Sequence, residues 1–244
     1  MERAIITTSW DDGHPLDLKL AELLSKYGIP GTFYIPIERV KRGYMSPDEI
    51  GEISRSFDVG GHTYHHVKLL WVPPEEAERE IIEGKARLEE IIGRRLSSFC
   101  YPYGEYNDRI VSLVKDAGFI GARTMRSLTR RLNDPFRMGS TVYARDWQLS
   151  RYIWHSVSSQ DLRLLCFLLR GNLFLKGWDR IAMETLDFVV GNGGIWHLWG
   201  HSWELDDNGD WRRLESVLGK ISSLSEHATL VDNSHLLAMH RSGS

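Results

Sequence analysis

The sequence predicts an α/β fold, a closed barrel built from repeated strand–helix units. Short apolar strands alternate with amphipathic helices almost from end to end of the 244 residues, the pattern of βα units on a parallel sheet. Seven or eight such units fit, and that number favours closure over an open sheet. No internal repeat, low-complexity segment or long linker divides the chain. Residues 1–244 therefore read as one domain, with 42% hydrophobic residues for a sizeable core.

In chain order, Ala4 to Ser9 is the first strand candidate and runs into Trp10-Asp11-Asp12-Gly13. Gly31 to Ile37 and Phe57 to Gly61 are the next two. Between them Ser46-Pro47-Asp48-Glu49 is a capping box with proline in the first turn, so a helix starts at Pro47. Pro73 to Ile92 carries acidic residues in its first turn and Gly93 after its last, and sets Ala77, Ile81, Leu88 and Ile92 on one buried face. Ser98 to Tyr101 is a strand, Asn107 caps a helix through Ala117, and Gly118 ends it. Phe119 to Thr124 follows as a strand. The segment Ser127 to Lys176 has the weakest patterning, with a basic loop from Arg126 to Arg137 and a mostly buried helix over Gln160 to Arg170. A helix from about Trp178 to Val190 then leads through Gly191-Asn192-Gly193-Gly194 into a strand, Gly194 to Trp199, and Ala228 to Val231 is the last.

Composition excludes several classes. Net charge is -3 with lysine and arginine dispersed, so no phosphate-tracking surface for nucleic acid is expected. Cys100 and Cys166 are too few for a disulfide framework and lie in no metal-ligand spacing; both are expected reduced and buried. The apolar run Leu162 to Leu175 is broken by Arg163 and Arg170 and is too short to span a bilayer. The N-terminus reaches Asp11 before an export segment fits, which predicts a cytoplasmic protein.

In a parallel α/β barrel, chemistry gathers where strands end. Asp11-Asp12 lies there on the first strand, Gly61-His62-Thr63-Tyr64-His65-His66 on the third, Tyr101-Pro102-Tyr103-Gly104 on the fourth and His197 to His201 on a late one. One carboxylate and two neutral imidazoles hold a cation such as Zn²⁺ with a coordination position open, and the water there ionises near neutral pH. A second carboxylate can take that water's proton. His62 and His66 share a face if they sit on a helical turn, and the turn at Gly13 lets both carboxylates reach one site.

These segments resemble the polysaccharide deacetylases that share the NodB homology domain, carbohydrate esterase family 4. The family's Thr-Phe-Asp-Asp-Gly motif is similar to Ser9-Trp10-Asp11-Asp12-Gly13, its His-Ser/Thr-x-x-His motif to His62-Thr63-Tyr64-His65-His66, and its Pro-Tyr-Gly to Pro102-Tyr103-Gly104. The resemblance implies a deformed, TIM-like barrel of about seven βα units and metal-dependent hydrolysis of acetyl groups on sugars. It implies that Asp11 is the general base and that Asp12, His62 and His66 hold the metal, Zn²⁺ or another divalent transition ion. Thr63 would brace them. It further implies that the Tyr103 N–H stabilises the oxyanion and that a late histidine protonates the leaving amine, with His201 the candidate and His197 the runner-up.

The chain departs from the family at Cys100, where the third motif has an arginine that anchors the catalytic aspartate. Arg123 is the candidate replacement, against the plainer reading of a structural or surface arginine. Arg145-Asp146-Trp147 echoes a fourth motif only in part. His65 is expected to lie beside the site without binding metal. Trp196, Trp199, Trp203 and Trp211 read as core residues or as stacking surfaces for sugar rings. The basic stretch Arg123 to Arg137 reads as a solvated face that could attract an anionic glycan. A carbohydrate or small amide is the expected substrate. The alternatives are a catalytically silent carbohydrate-binding barrel and an amidohydrolase for a non-sugar amide.

Overall fold

The computed structural model describes residues 3–38, 43–146, 161–171 and 176–242. Within them eight strands pair in parallel: β1 (Ala4–Asp11), β2 (Thr32–Ile35), β3 (Asp58–Gly61), β4 (Ser98–Cys100), β5 (Gly121–Arg123), β6 (Val142–Tyr143), β7 (Ile195–Gly200) and β8 (Ala228–Leu230). Their order is β5-β4-β3-β2-β1-β7-β6, with β8 beside the start of β1. The Met138 N–H donates to the Ala122 carbonyl at 3.0 Å, and the Thr141 N–H donates to that of His197 at 2.9 Å. The chain leading into β6 thus ties the two outer strands together, and the sheet curls into a deformed α/β barrel.

All seven strand candidates are present, with ends moved by one or two residues. Only β6 escaped, because two residues carry no periodicity. The described helices are α1 (Asp17–Lys26), α2 (Pro47–Ser54), α3 (Pro74–Ile92), α4 (Asp108–Asp116), α5 (Leu162–Arg170), α6 (Trp178–Asn192), α7 (Ser202–Asp207), α8 (Trp211–Ser223) and α9 (Asn233–Ser242). Two of the sequence-read starts carry their caps: the Glu49 N–H donates to Ser46 Oγ at 3.3 Å, and the Ile110 N–H to Asn107 Oδ1 at 3.0 Å. The sequence reading placed no bounds on α1, α7 and α8, whose starts lack a side-chain cap. Two expectations are corrected at α5. Cys166 is exposed, and among the helix residues whose side chains are described only Leu164 and Leu168 are buried, because the helix lays one narrow stripe on the body, with Phe167 against Phe188 of α6; Gln160, where the expected helix began, lies outside the described residues.

Alternation along β1 sorts its side chains. Ile6 and Trp10 are buried in the hydrophobic core, while Thr7, Ser9 and Asp11 share the opposite face and meet polar partners. At the lower end of the barrel that interior is sealed by the start of α9. Asn233 Oδ1 accepts from Thr7 Oγ1 at 2.9 Å, and Asn233 Nδ2 donates to Tyr34 Oη at 3.0 Å. Thr32 Oγ1 and Ser234 Oγ each donate to Asp58 Oδ2 at 2.8 Å.

Burial, with Asp232 nearby, pushes the Asp58 carboxyl up to about 6. A raised carboxyl favours the protonated folded state, so its contribution is complete below the unfolded value near 3.9 and is lost as pH rises through about 6. Asp58→Asn keeps an acceptor for both hydroxyls and removes the titration. Denaturant unfolding of the two proteins is expected to show the wild type losing up to about 3 kcal/mol relative to the variant between pH 4 and pH 7. A pH-independent difference would place the titration elsewhere.

Candidate metal centre

Strand β1 ends at Asp11, and the chain turns sharply with Asp12 at φ 88° and Gly13 at φ 61°. A side chain at Gly13 would strike Ile35 Cγ2 at 2.8 Å, so glycine is required by both angle and space. The turn swings Asp12 towards the end of β3, where His62 and His66 wait. The helical turn that would put His62 and His66 on one face is not what joins them. The segment is a loop with Thr63 at φ 66° and His66 at φ 56°, and these left-handed residues bring the two rings together, with centroids 4.7 Å apart.

Asp12, His62 and His66 are buried and place ligand atoms within 4.8 Å of one another. A tetrahedral Zn²⁺ site with bonds of 2.0–2.1 Å sets its ligand atoms roughly 3.3 Å apart. Here Asp12 Oδ1 lies 3.1 Å from His66 Nε2 and 3.8 Å from His62 Nε2. His62 Nδ1 donates to the Cys100 carbonyl at 2.8 Å, which leaves Nε2 as the lone-pair nitrogen facing Asp12. Burial, then His66, depresses the His62 pKa to about 3, so the ring is neutral as a ligand must be. Burial opposes the charge on Asp12, but His201, His66 and His62 outweigh it and hold the carboxyl well below its ordinary range. Donor types, spacing and protonation all fit a divalent transition ion.

Asp11 is placed differently. Its Oδ2 pairs with Arg123, which is fully buried, and its Oδ1 is buried without a hydrogen-bond partner among the described residues. The Arg123 guanidinium also lies 4.4 Å over the Trp199 ring. Arg123 is therefore neither a surface residue nor part of a solvated face. It makes the charged contact that Cys100 cannot, from the strand next door, because Cys100 and Arg123 are register partners on β4 and β5. Asp11, His62 and Cys100 form a second compact grouping. Arg123 occupies that aspartate, however, and burial lifts the Cys100 thiol well above its ordinary value, which disfavours the thiolate a metal needs.

On β7 the two histidines part company. His197 is buried inside the barrel, with Nε2 2.9 Å from Ser9 Oγ and Nδ1 3.3 Å from the Gly139 carbonyl. His201, just past the strand, sets Nε2 3.5 Å from Asp12 Oδ2 and Nδ1 2.7 Å from Glu204 Oε2. Burial works against its charge, but Asp12 and Glu204 raise its pKa above the ordinary value. Trp203 Nε1 donates to Asp12 Oδ2 at 3.0 Å. Tyr103 sits at the same rim in a left-handed conformation, φ 59°, with its ring 4.8 Å from that of His66.

The polysaccharide deacetylase family model matches residues 1–122, half of the chain. The chain belongs to the polysaccharide deacetylase family. Over 113 residues it is 29% identical to the peptidoglycan-N-acetylmuramic acid deacetylase PdaC of Bacillus subtilis (strain 168), a match covering 46% of this chain and 24% of that protein. The chain thus matches about a quarter of the length of that curated relative. A candidate polysaccharide deacetylase from Mycobacterium smegmatis shares the fold with a TM-score of 0.71 and 15% identity, over 99% of this chain and 91% of that one. A family 4 carbohydrate esterase from Streptomyces lividans, solved with acetate, does so with a TM-score of 0.58 and 15% identity, over 93% and 91%.

Two side chains at this rim were not singled out from sequence, Glu204 and Glu80, and Trp203 was read there only as a core residue or a stacking surface. Glu204 had a readable signal, since it stands three residues after His201 on a helix start. Glu80 had none. It projects from α3 under the ligand loop, where Oε2 accepts from the Tyr64 and His65 N–H groups at 3.0 and 2.8 Å and Oε1 meets His65 Nδ1 at 2.6 Å. His65 is thereby turned onto α3. One helical turn on, a side chain at Gly84 would strike the Thr63 carbonyl carbon at 2.6 Å, so helix and loop touch backbone to backbone. Thr63, expected as the brace, has a buried Oγ1 with no hydrogen-bond partner among the described residues; Glu80 braces the loop instead.

Glu80→Ala is expected to weaken Zn²⁺ binding by about 10–100-fold, whereas Glu80→Gln keeps an acceptor for both N–H groups and most of the affinity. Competition titration against a chelating dye reads both. Unchanged affinity in the alanine variant would show that the loop holds itself.

Proposed function

We propose that this protein is a divalent-metal-dependent deacetylase that hydrolyses the acetyl group of an N-acetylated sugar unit, and that residues 1–244 form one catalytic domain. The observation that carries the reading is the division of labour between adjacent carboxylates. Asp12 faces two imidazoles, and Asp11 faces an arginine with one oxygen left over. Family membership and the deacetylase relatives support a sugar-linked acetyl group as the substrate class.

An ion held by Asp12, His62 and His66 would polarise the acetyl carbonyl and acidify the attacking water. Asp11 takes that water's proton on Oδ1, while Arg123 fixes the carboxylate through Oδ2. The Tyr103 N–H, set by its left-handed backbone, supports the oxyanion; a donor so placed contributes about 3 kcal/mol. His201 delivers a proton to the departing nitrogen. Glu204 orients that ring through Nδ1, so Nε2 is the nitrogen that donates, and Tyr143 and Arg145 hold Glu204 in turn. Glu204 thus does for His201 what the Cys100 carbonyl does for His62. Trp203, bonded to Asp12 and half-buried, is the tryptophan placed to meet a sugar; Trp196 and Trp199 are buried core.

Among the described residues, no helix is long and apolar enough to cross a membrane. The reading is tested by acetate release from chitooligosaccharides and from small N-acetyl sugars, before and after chelator. Release that stops with chelator and returns with added Zn²⁺ is expected. Binding of sugar without release would point to a silent barrel, and release from small amides alone to a non-sugar substrate.

A further inference from the structure

Away from the metal-centre residues, a cavity of about 420 Å³ opens between the loop after β5 and the start of α5. Five arginines line it: Arg126, Arg130, Arg131, Arg137 and Arg163. Its two carboxylates are already engaged. Asp161 pairs with Arg130, and Asp134 with Arg137. Arg137 also reaches Asp108 at 2.6 Å. Arg126, Arg131 and Arg163 have no carboxylate partner among the described residues, so three uncompensated guanidinium groups border one cavity.

The walls that carry them are fixed by the barrel. Arg130 is 7% exposed and donates to the Gly193 carbonyl at 3.1 Å, while the Ile195 N–H donates to the Arg130 carbonyl at 2.9 Å. Thr141 Oγ1 donates to the Thr129 carbonyl at 2.9 Å. Like charges gathered on a rigid wall repel one another, and a concave surface focuses their potential on the space between them. An anion relieves that repulsion, and the planar guanidinium fork matches phosphate and carboxylate oxygens. The volume lies within the ~300–1,000 Å³ usual for small-molecule sites.

We propose that this cavity binds a small anion of phosphate or carboxylate chemistry, such as the charged group of an acidic sugar, at a site distinct from the metal centre. The proposal does not depend on the deacetylase reading. Calorimetric titration at low ionic strength tests it with three probes: inorganic phosphate, glucuronate and neutral N-acetylglucosamine. Wild type is compared with the Arg131→Ser/Arg163→Ser double variant, whose changed residues are exposed and remote from the core. Saturable binding of phosphate, of glucuronate or of both is expected, weakened about tenfold or more in the variant, with no change in the response to the neutral sugar. The anion bound more tightly names the chemistry. Equal anion binding by the two proteins, or no anion binding by the wild type, would overturn the assignment.

Discussion

Asp11→Asn is expected to lower turnover by about 10²–10⁴-fold, the usual weight of a general base, and to leave the metal content unchanged. The amide is nearly isosteric, so the loss is chemical: nitrogen or carbonyl oxygen, neither end can accept a proton at neutral pH. Asp12, His62 and His66 are untouched by the change, and the Asn oxygen can still receive Arg123. Acetate release and metal analysis on the same preparation separate the two effects. Turnover within a few-fold of wild type would remove Asp11 from the base role, and loss of the ion along with activity would make it a ligand.

His62→Ala is expected to cost more, removing both ion and turnover. The site is built on three protein donors, and the lost imidazole is the one whose free nitrogen is dictated by the Cys100 carbonyl. Deleting it leaves two donors, Asp12 and His66, and a buried carboxylate whose balance of charge depends on its histidine neighbours. Added Zn²⁺ at concentrations that saturate the wild type is expected not to restore acetate release. Restored release would show that the remaining groups suffice.

Most of what positions these residues was legible because strands and turns signal locally. The Asp-Asp-Gly at the end of β1 and the His-x-x-x-His after β3 are contiguous motifs, and the alternation of strand and helix says that both ends lie at one rim. The pairing of Arg123 with Asp11 was only a candidate, since nothing in the order of residues says that β5 lies beside β4; the register of Cys100 with Arg123 says it. Strand parity alone could not separate His197 from His201. Their difference lies in depth along β7, where one meets Ser9 and the other meets Asp12 and Glu204. Glu80 was invisible for a like reason, because its partners are backbone N–H groups fifteen and sixteen residues away. Whether His62 and His66 sit on a helical turn was left as a condition, because spacing does not distinguish such a turn from a loop with two left-handed residues.

The proposed chemistry turns on Asp12, His62 and His66 gripping one divalent ion. Metal analysis of gently purified wild-type protein beside His62→Ala and His66→Ala decides it most directly. Close to one ion per chain is expected in the wild type and essentially none in either variant. The same ion content in all three proteins, or a wild type that takes up no Zn²⁺, would contradict it.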